Sequence, residues 1–166
     1  VGSFYADSLD KGNGSLNSSL GLSRHILAAG DLHTVFIKED GSLWGMGSNN
    51  CGQLGNRAAR EQLTPVKIVD GGVVAVTAGH YHTHFVKSDS SLWGMGRNLF
   101  GALGDGTTTN RSSTVQILSS GVYSVAAGAW HSLILKTDGT LLASGHNPYG
   151  QLGVGDGGGS EQNFTP

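Results

Sequence analysis

The sequence is poor in cysteine, proline and charge, and each shortage argues against a class of protein. Cys51 is the one cysteine, so the chain cannot form an internal disulfide. The 3 prolines among 166 residues argue against collagen-like and polyproline structure. Charged residues make up 13% and the net charge is −2, which gives no footprint for nucleic acid. No apolar run approaches the length of a membrane span. We therefore expect neither nucleic-acid binding nor membrane insertion.

Glycine is the residue that the sequence has in excess, at 28 of 166 positions. Hydrophobic residues make up 37%, which argues against a disordered chain. Glycine adopts positive φ without steric cost, so this composition suits many short strands joined by tight turns. No stretch has the apolar period of a substantial helix.

The sequence contains three copies of one glycine-rich unit, and the copies align without gaps. They occupy residues 28–55, 77–104 and 126–153, so that equivalent positions are 49 residues apart. Eleven of the 28 aligned positions carry the same residue in all three copies, an agreement that chance does not produce. A repeat of this length predicts stacked units of similar structure.

A β-hairpin is predicted in each copy. In the first copy, strands at 33–38 and 43–47 flank Asp40-Gly41, and Asp-Gly between strand residues is a strong hairpin signal. The third copy repeats Asp-Gly, whereas the second has Ser90 in place of the glycine, which makes its turn costlier. Apolar residues on both faces of the first strand indicate that it lies between two layers.

Short β-branched runs connect one hairpin to the next and predict the remaining strands. These runs lie at 64–69 and 73–76, and again at 114–118 and 122–125. Glycine- and serine-rich turns separate the two runs of each pair.

The motifs of the unit follow a fixed order: A-A-G-x-x-H-[ST], then D-G-x-L-[WL], then G-x-N-x-x-G-[QA]-L-G. This combination resembles the regulator of chromosome condensation repeat, in the manner of bacterial members of that family. The resemblance implies an all-β fold of β-propeller blades, each a four-stranded antiparallel sheet. It divides the chain into an irregular lead-in at 1–24 and three repeats at about 25–72, 73–121 and 122–166.

Three repeats do not complete such a ring, because propellers typically have about four to eight blades. An open stack would leave an apolar sheet face exposed at each end. Two explanations stay open. Either the chain is part of a longer propeller, which the abrupt stop at Pro166 favours, or copies of the chain self-associate to complete the ring.

Histidines provide two candidate ligand sets. His80, His82 and His84 alternate along a predicted strand, so their side chains would share a face and could bind a metal ion. Against this, His84 occupies a position that is apolar in the other copies. His33, His82 and His131 recur at one repeat position, which favours structural histidines that bond buried backbone groups.

No combination of residues predicts an active site. The sequence lacks a Gly-x-Ser-x-Gly elbow, and its glycine clusters lack the strand–glycine–helix context of a phosphate-binding loop. Cys51 occupies the repeat position of Phe100 and Tyr149, which favours packing over nucleophilic catalysis. We therefore expect no enzyme activity and no cofactor.

The most informative variation between copies lies just after each Ala-Gly pair. The variable loop pairs are Asp31-Leu32, His80-Tyr81 and Ala129-Trp130. Repeat positions that stay fixed build the scaffold, while varying loop positions are free to contact a partner. Tyrosine and tryptophan are common anchors of interfaces. The alternative is that Tyr81 and Trp130 only pack on a neighbouring blade.

The sequence therefore predicts a non-catalytic scaffold that presents propeller loops to another protein. Two alternatives stay open. The first is a metal-binding protein or metalloenzyme that uses the histidine strand. The second is a structural repeat segment of a large secreted or surface protein, and an extracellular or cell-surface location is favoured. The identity of the partner does not follow from the fold.

Overall fold

The computed structural model describes residues 26–155, and this part of the chain contains strands, turns and loops but no helix. The strands are β1 (Leu27–Ala29), β2 (His33–Ile37), β3 (Leu43–Gly47), β4 (Gln62–Val69), β5 (Val73–Ala78), β6 (His82–Lys87), β7 (Leu92–Gly96), β8 (Arg111–Leu118), β9 (Val122–Ala127), β10 (His131–Lys136) and β11 (Leu141–Gly145). Within these residues there is accordingly no helix that could cross a membrane.

The strands form three antiparallel sheets, which we call blades 1, 2 and 3. Blade 1 has the strand order β1-β2-β3-β4, blade 2 has β5-β6-β7-β8, and blade 3 contains β9, β10 and β11 with β10 in the middle. The predicted all-β architecture of propeller blades is confirmed. The fourth strand of blade 3, expected near 164–166, and the predicted lead-in at 1–24 lie outside the described residues.

A tight turn closes the hairpin between β2 and β3, and the other blades repeat it. The Asp40 carboxylate accepts hydrogen bonds from the backbone N–H and the hydroxyl of Ser42, at 2.9 and 2.5 Å. The residue between them has a positive φ, which is 77° at Gly41, 86° at Gly139 and 63° at Ser90. Since only glycine takes this conformation without strain, blade 2 has the less favourable turn that its sequence predicts.

The hydrophobic core lies between the blades. Buried residues between blades 1 and 2 form one cluster, of Val35, Leu43, Leu54, Val73, Val76, Phe85 and Met95. A second cluster joins blades 2 and 3 and contains Val86, Leu92, Val122, Val125 and Ile134. Full burial of one such side chain contributes about 1.5–3 kcal/mol. Packing of each blade on the next is therefore a main source of stability.

A buried histidine of one blade also bonds a hydroxyl of the next blade. His33 Nε2 lies 2.9 Å from Thr83 Oγ1, and His82 Nε2 lies 3.0 Å from Ser132 Oγ. These histidines thus bond side chains of the following blade and not the buried backbone groups that we expected. Burial lowers the pKa of His33 to about 4 and also lowers the pKa of His82. Both imidazoles are therefore neutral at pH 7.

Candidate protein-interaction surface

The variable loops lie on one face of the blade stack. In blade 1, His33 pairs with Gly47, so the start of β2 and the end of β3 meet at the same edge of the sheet. The equivalent residues pair in blades 2 and 3. The short loop before the second strand and the long loop after the third strand therefore share one face in every blade. We call it the loop face.

Two positions on the loop face are joined by the same backbone hydrogen bond in every blade. The bonds run from the N–H of Ser48 to the carbonyl of Leu32 at 2.7 Å, from Arg97 to Tyr81 at 2.8 Å, and from His146 to Trp130 at 2.9 Å. The residue before each donor is a glycine with φ between 99° and 113°, and it has no Cβ to obstruct the approaching carbonyl. The backbone is thus held constant while the paired side chains differ.

Side chains of blades 2 and 3 meet in one group, which we call the aromatic–arginine cluster. Its members are His80, Tyr81, Arg97, Phe100, Trp130 and His146. The ring centroids of His80 and Tyr81 lie 5.3 and 5.5 Å from that of Trp130, and that of Phe100 lies 5.8 Å from it. Phe100 also packs on His146, with centroids 4.4 Å apart. Distances of this size are typical of attractive contacts between rings.

Arg97 supplies the positive charge of the cluster. Its guanidinium carbon lies 4.8 Å from the ring centroid of Trp130 and 5.7 Å from that of Tyr81, which are cation–π distances. Arg111, in contrast, forms an ion pair of 2.6 Å with Asp105. Within residues 26–155, no carboxylate forms a salt bridge with Arg97.

The first residues of the three loop pairs line a groove of about 300 Å³. Asp31, His80 and Ala129 each contribute to it, and the backbone N–H of His80 donates to the carbonyl of Ala129 at 3.2 Å. His80 therefore belongs to both the groove and the aromatic–arginine cluster. Leu32 belongs to neither set, and its side chain is 60% exposed.

The sequence matches the regulator of chromosome condensation (RCC1) repeat over most of the described chain. One model of this repeat matches residues 26–53 and 122–151, and a second matches residues 40–86 and 89–135. The chain belongs to this repeat family. No curated protein matches the chain significantly.

Several solved structures are similar to the chain. Prp20p from Saccharomyces cerevisiae is 21% identical with a TM-score of 0.73, over 84% of this chain and 36% of that protein. Human WBSCR16 is 25% identical with a TM-score of 0.70, over 87% of this chain and 41% of that protein. Yeast RCC1 (Prp20) bound to Kap60 is 22% identical with a TM-score of 0.69, over 82% and 34% of the two chains. The match therefore covers less than half of each of these proteins.

Half of the aromatic–arginine cluster is not evident from the RCC1 repeat pattern. Arg97 and His146 occupy the repeat position of Ser48, and the variation at this position is the signal that could have identified them. Phe100 shares the repeat position of Cys51, for which the sequence predicts packing. It does pack, but its contacts are with Trp130 and His146 of the next blade.

The predicted three-histidine metal site does not form in these RCC1 repeats. β6 begins at His82, so His80 lies in the preceding loop and the side-chain alternation of a strand does not reach it. His82 is bonded to a hydroxyl of blade 3, and His84 Nε2 donates to the Leu103 carbonyl at 3.1 Å. In the part of the chain that the structure describes, no group of three or more His, Cys, Asp or Glu residues could hold a metal ion. The metal-binding alternative therefore has no support.

Proposed function

We propose that the chain is a non-catalytic protein-binding scaffold and that the aromatic–arginine cluster is its contact surface. The observation that carries the proposal is the position of Trp130, whose ring contacts Tyr81 and Phe100 on the loop face while staying partly exposed. Tryptophan, tyrosine and arginine are the residues most enriched among binding hot spots. Their contacts with one another hold them in place before a partner arrives, which reduces the entropic cost of binding.

The family relatives support a binding role. One of the similar structures is described with the binding properties of Prp20p to Gsp1p and histones. Another shows yeast RCC1 bound to Kap60. Both structures are of the same yeast protein, Prp20, which binds proteins, and we extend this general role, without its partners, to the present chain.

Variants of the cluster test the proposed surface. Peptide ligands are first selected from a random phage-displayed library on the immobilised wild-type protein, and their affinities are then measured for Tyr81→Ala and Trp130→Ala. Tyr123→Ala is the matched control, because Tyr123 is an aromatic residue that is 42% exposed and lies next to Val122, which pairs with Lys136 at the edge of blade 3 opposite to the loop face. We expect both cluster variants to weaken binding at least tenfold, and the control to have no effect.

Thermal unfolding of the same variants separates binding from packing. If Trp130→Ala lowers the melting temperature substantially but leaves peptide affinity unchanged, the aromatic residues serve only to pack one blade on the next. That result would reject the proposed contact surface.

Self-association is a second candidate activity, and the two ends of the stack favour it. Leu141 on blade 3 is 61% exposed, whereas its repeat equivalents Leu43 and Leu92 are fully buried between blades. At the other end, Leu27 is 64% exposed, whereas its equivalent Val76 is 1% exposed. Each end face therefore carries an apolar position that is covered wherever a neighbouring blade is present.

The mass of the protein in solution tests this second proposal. We expect a concentration-dependent assembly that Leu141→Glu dissociates, because a buried unpaired carboxylate is costly at an apolar interface. Leu63→Glu is the control, since Leu63 is 90% exposed on the outer strand β4. A wild-type protein that stays monomeric at all concentrations would reject self-association.

The remaining alternative, a repeat segment of a large secreted or surface protein, stays a prediction. The partial coverage of the similar propellers agrees with it. The length of the natural gene product tests it directly, because a mass well above 17.1 kDa would place these blades in a longer chain.

A further inference from the structure

We propose that the partner presents a carboxylate to Arg97, next to an apolar side chain that packs on the rings of the aromatic–arginine cluster. The inference rests on the proposed binding function and specifies the chemistry of the partner. It concerns a protein segment that is both acidic and apolar.

The first argument is that Arg97 has its donors available. Arginine carries five N–H donors in a planar fork whose geometry matches a carboxylate. The guanidinium contacts the rings of Trp130 and Tyr81 through cation–π interactions. These contacts do not provide hydrogen-bond acceptors for its N–H donors. Among the described residues, Arg97 has neither a carboxylate partner nor a side-chain hydrogen bond to an acceptor.

The second argument is that the acidic residue in the same loop is already occupied. Asp105 accepts hydrogen bonds from Asn98 Nδ2 at 2.8 Å and from the Thr107 hydroxyl at 2.8 Å. Its other oxygen accepts from Arg111 Nε at 2.6 Å. Asp105 thus pairs with Arg111, whereas Arg97 lies on the loop face among aromatic rings. An anion for Arg97 would have to come from outside the described chain.

The third argument is the surroundings of Arg97. Contact with Trp130 and Tyr81 places the guanidinium beside low-dielectric ring surface, where a charge-assisted hydrogen bond is stronger than in water. Phe100 and Trp130 offer adjacent apolar area to a neighbouring side chain. Nucleic acid also carries anions, but the chain has no excess of basic residues, with a net charge of −2, and therefore lacks the composition typical of proteins that bind a phosphate backbone.

Selection of peptides tests the carboxylate directly. A random phage-displayed peptide library is selected in parallel on the wild-type protein, on Arg97→Gln and on Arg60→Gln. The last variant is the control, because Arg60 is an exposed arginine on another loop of the same face. We expect Asp and Glu next to aromatic or aliphatic residues to be enriched on the wild type and on the control, and not on Arg97→Gln.

Synthetic peptides from the enriched clones then identify the group that binds. We expect replacement of the acidic residue by its amide to weaken binding to the wild type at least tenfold, and to have little effect on binding to Arg97→Gln. Arg97→Lys should recover only part of the affinity, because an ammonium group keeps the charge but loses the bidentate fork. Amidated and free carboxyl ends separate a side-chain carboxylate from a terminal one.

The outcomes distinguish this proposal from the broader one. Peptides that lose affinity for Trp130→Ala but show no acidic preference would overturn the carboxylate proposal and leave the binding surface intact. Acidic peptides that bind Arg97→Gln as well as they bind the wild type would also overturn it. If no selected peptide depends on Trp130, both proposals fail. Binding of single-stranded oligonucleotides that Arg97→Gln abolishes would overturn the protein partner in favour of nucleic acid.

Discussion

Thr83 of blade 2 connects His33 of blade 1 to a buried carbonyl. The Thr83 hydroxyl lies 2.9 Å from His33 Nε2 and donates its one proton to the Gln53 carbonyl at 2.9 Å. The hydroxyl must therefore accept from the imidazole, so that Nε2 carries the proton and Nδ1 does not. That Nδ1 is buried and has no hydrogen-bond partner. His33 is thus a neutral histidine in a single tautomer, and its Nε2–H donates to Thr83 of the next blade.

Removal of the Thr83 hydroxyl should destabilise the stack. We expect Thr83→Val to lower the free energy of unfolding by about 1–3 kcal/mol, because it leaves the buried His33 donor and the Gln53 carbonyl unpaired. Thr34 occupies the equivalent position in blade 1, where no histidine of a preceding blade contacts it among the described residues. Thr34→Val is therefore the control, with an expected cost below about 0.5 kcal/mol. Equal costs in urea unfolding would contradict a specific role for the inter-blade bond.

Acid should weaken the protein well before its carboxylates are protonated. Burial lowers the pKa of His33 and of His84 to about 4, from an ordinary value of 6.5. Below pH 6.5 the unfolded chain therefore binds protons that the folded chain excludes, so stability falls as the pH drops towards 4. We expect a loss of about 1.4 kcal/mol per pH unit for each such histidine within this window.

Urea unfolding between pH 7 and pH 4 measures this slope. His33→Gln keeps a donor for Thr83 but cannot titrate, so the variant should reduce the pH dependence by about one proton. An unchanged slope would show that His33 takes up its proton in the folded state at the ordinary pKa.

The turn of blade 2 should improve when its serine is replaced. We expect Ser90→Gly to raise the free energy of unfolding by about 0.5–1 kcal/mol, because glycine removes the cost of a positive φ. The reverse change in blade 1, Gly41→Ser, should lower stability by about 1 kcal/mol. Thermal unfolding of the two variants checks the opposite signs, and shifts in the same direction would contradict this assignment of turn strain.

Two equivalent leucines should respond very differently to truncation. Leu92 is fully buried between blades 2 and 3, while Leu141 is 61% exposed. We expect Leu92→Ala to cost about 2–5 kcal/mol, as is typical of a leucine that leaves a cavity. In the monomeric protein, Leu141→Ala should cost less than about 1 kcal/mol. A large cost at Leu141 would mean that another chain or another blade covers this face.

Much of the fold follows from local signals that every copy repeats. The Asp-Gly turn and the apolar run after it predict β3 at its observed bounds, and β2 ends only one residue earlier than expected. The outer strands are longer than predicted, since β4 begins at Gln62 and β8 at Arg111. These first residues are polar and lack a β-branched pattern, and their pairing with Gly47 and Gly96 is fixed by the sheet.

The candidate site could be predicted only in part, because its contacts cross from one blade to the next. Variation after the Ala-Gly pairs indicates Tyr81 and Trp130, whose rings do meet. Arg97 lies beside them because its backbone N–H donates to the Tyr81 carbonyl. The two residues are far apart in the sequence, so the sequence alone does not predict this contact. The three alternating histidines led to the opposite error. Their spacing predicts side chains on one face of a strand, but β6 starts only at His82, so His80 lies in the loop before it.

The inter-blade bond gives the stack a direction. It joins His33 to Thr83 and His82 to Ser132, each across fifty residues, which is one more than the repeat. The sequence thus places a histidine at one of these positions in every blade and a hydroxyl residue at the next, and the bond runs from the histidine of one blade to the hydroxyl of the following blade. A two-fold symmetric pairing through one end would bring imidazole against imidazole or hydroxyl against hydroxyl, so it would not repeat the histidine–hydroxyl bond. If copies of the chain self-associate as proposed, a head-to-tail contact is the one that repeats the inter-blade bond, and such contacts produce either a closed ring or an open filament.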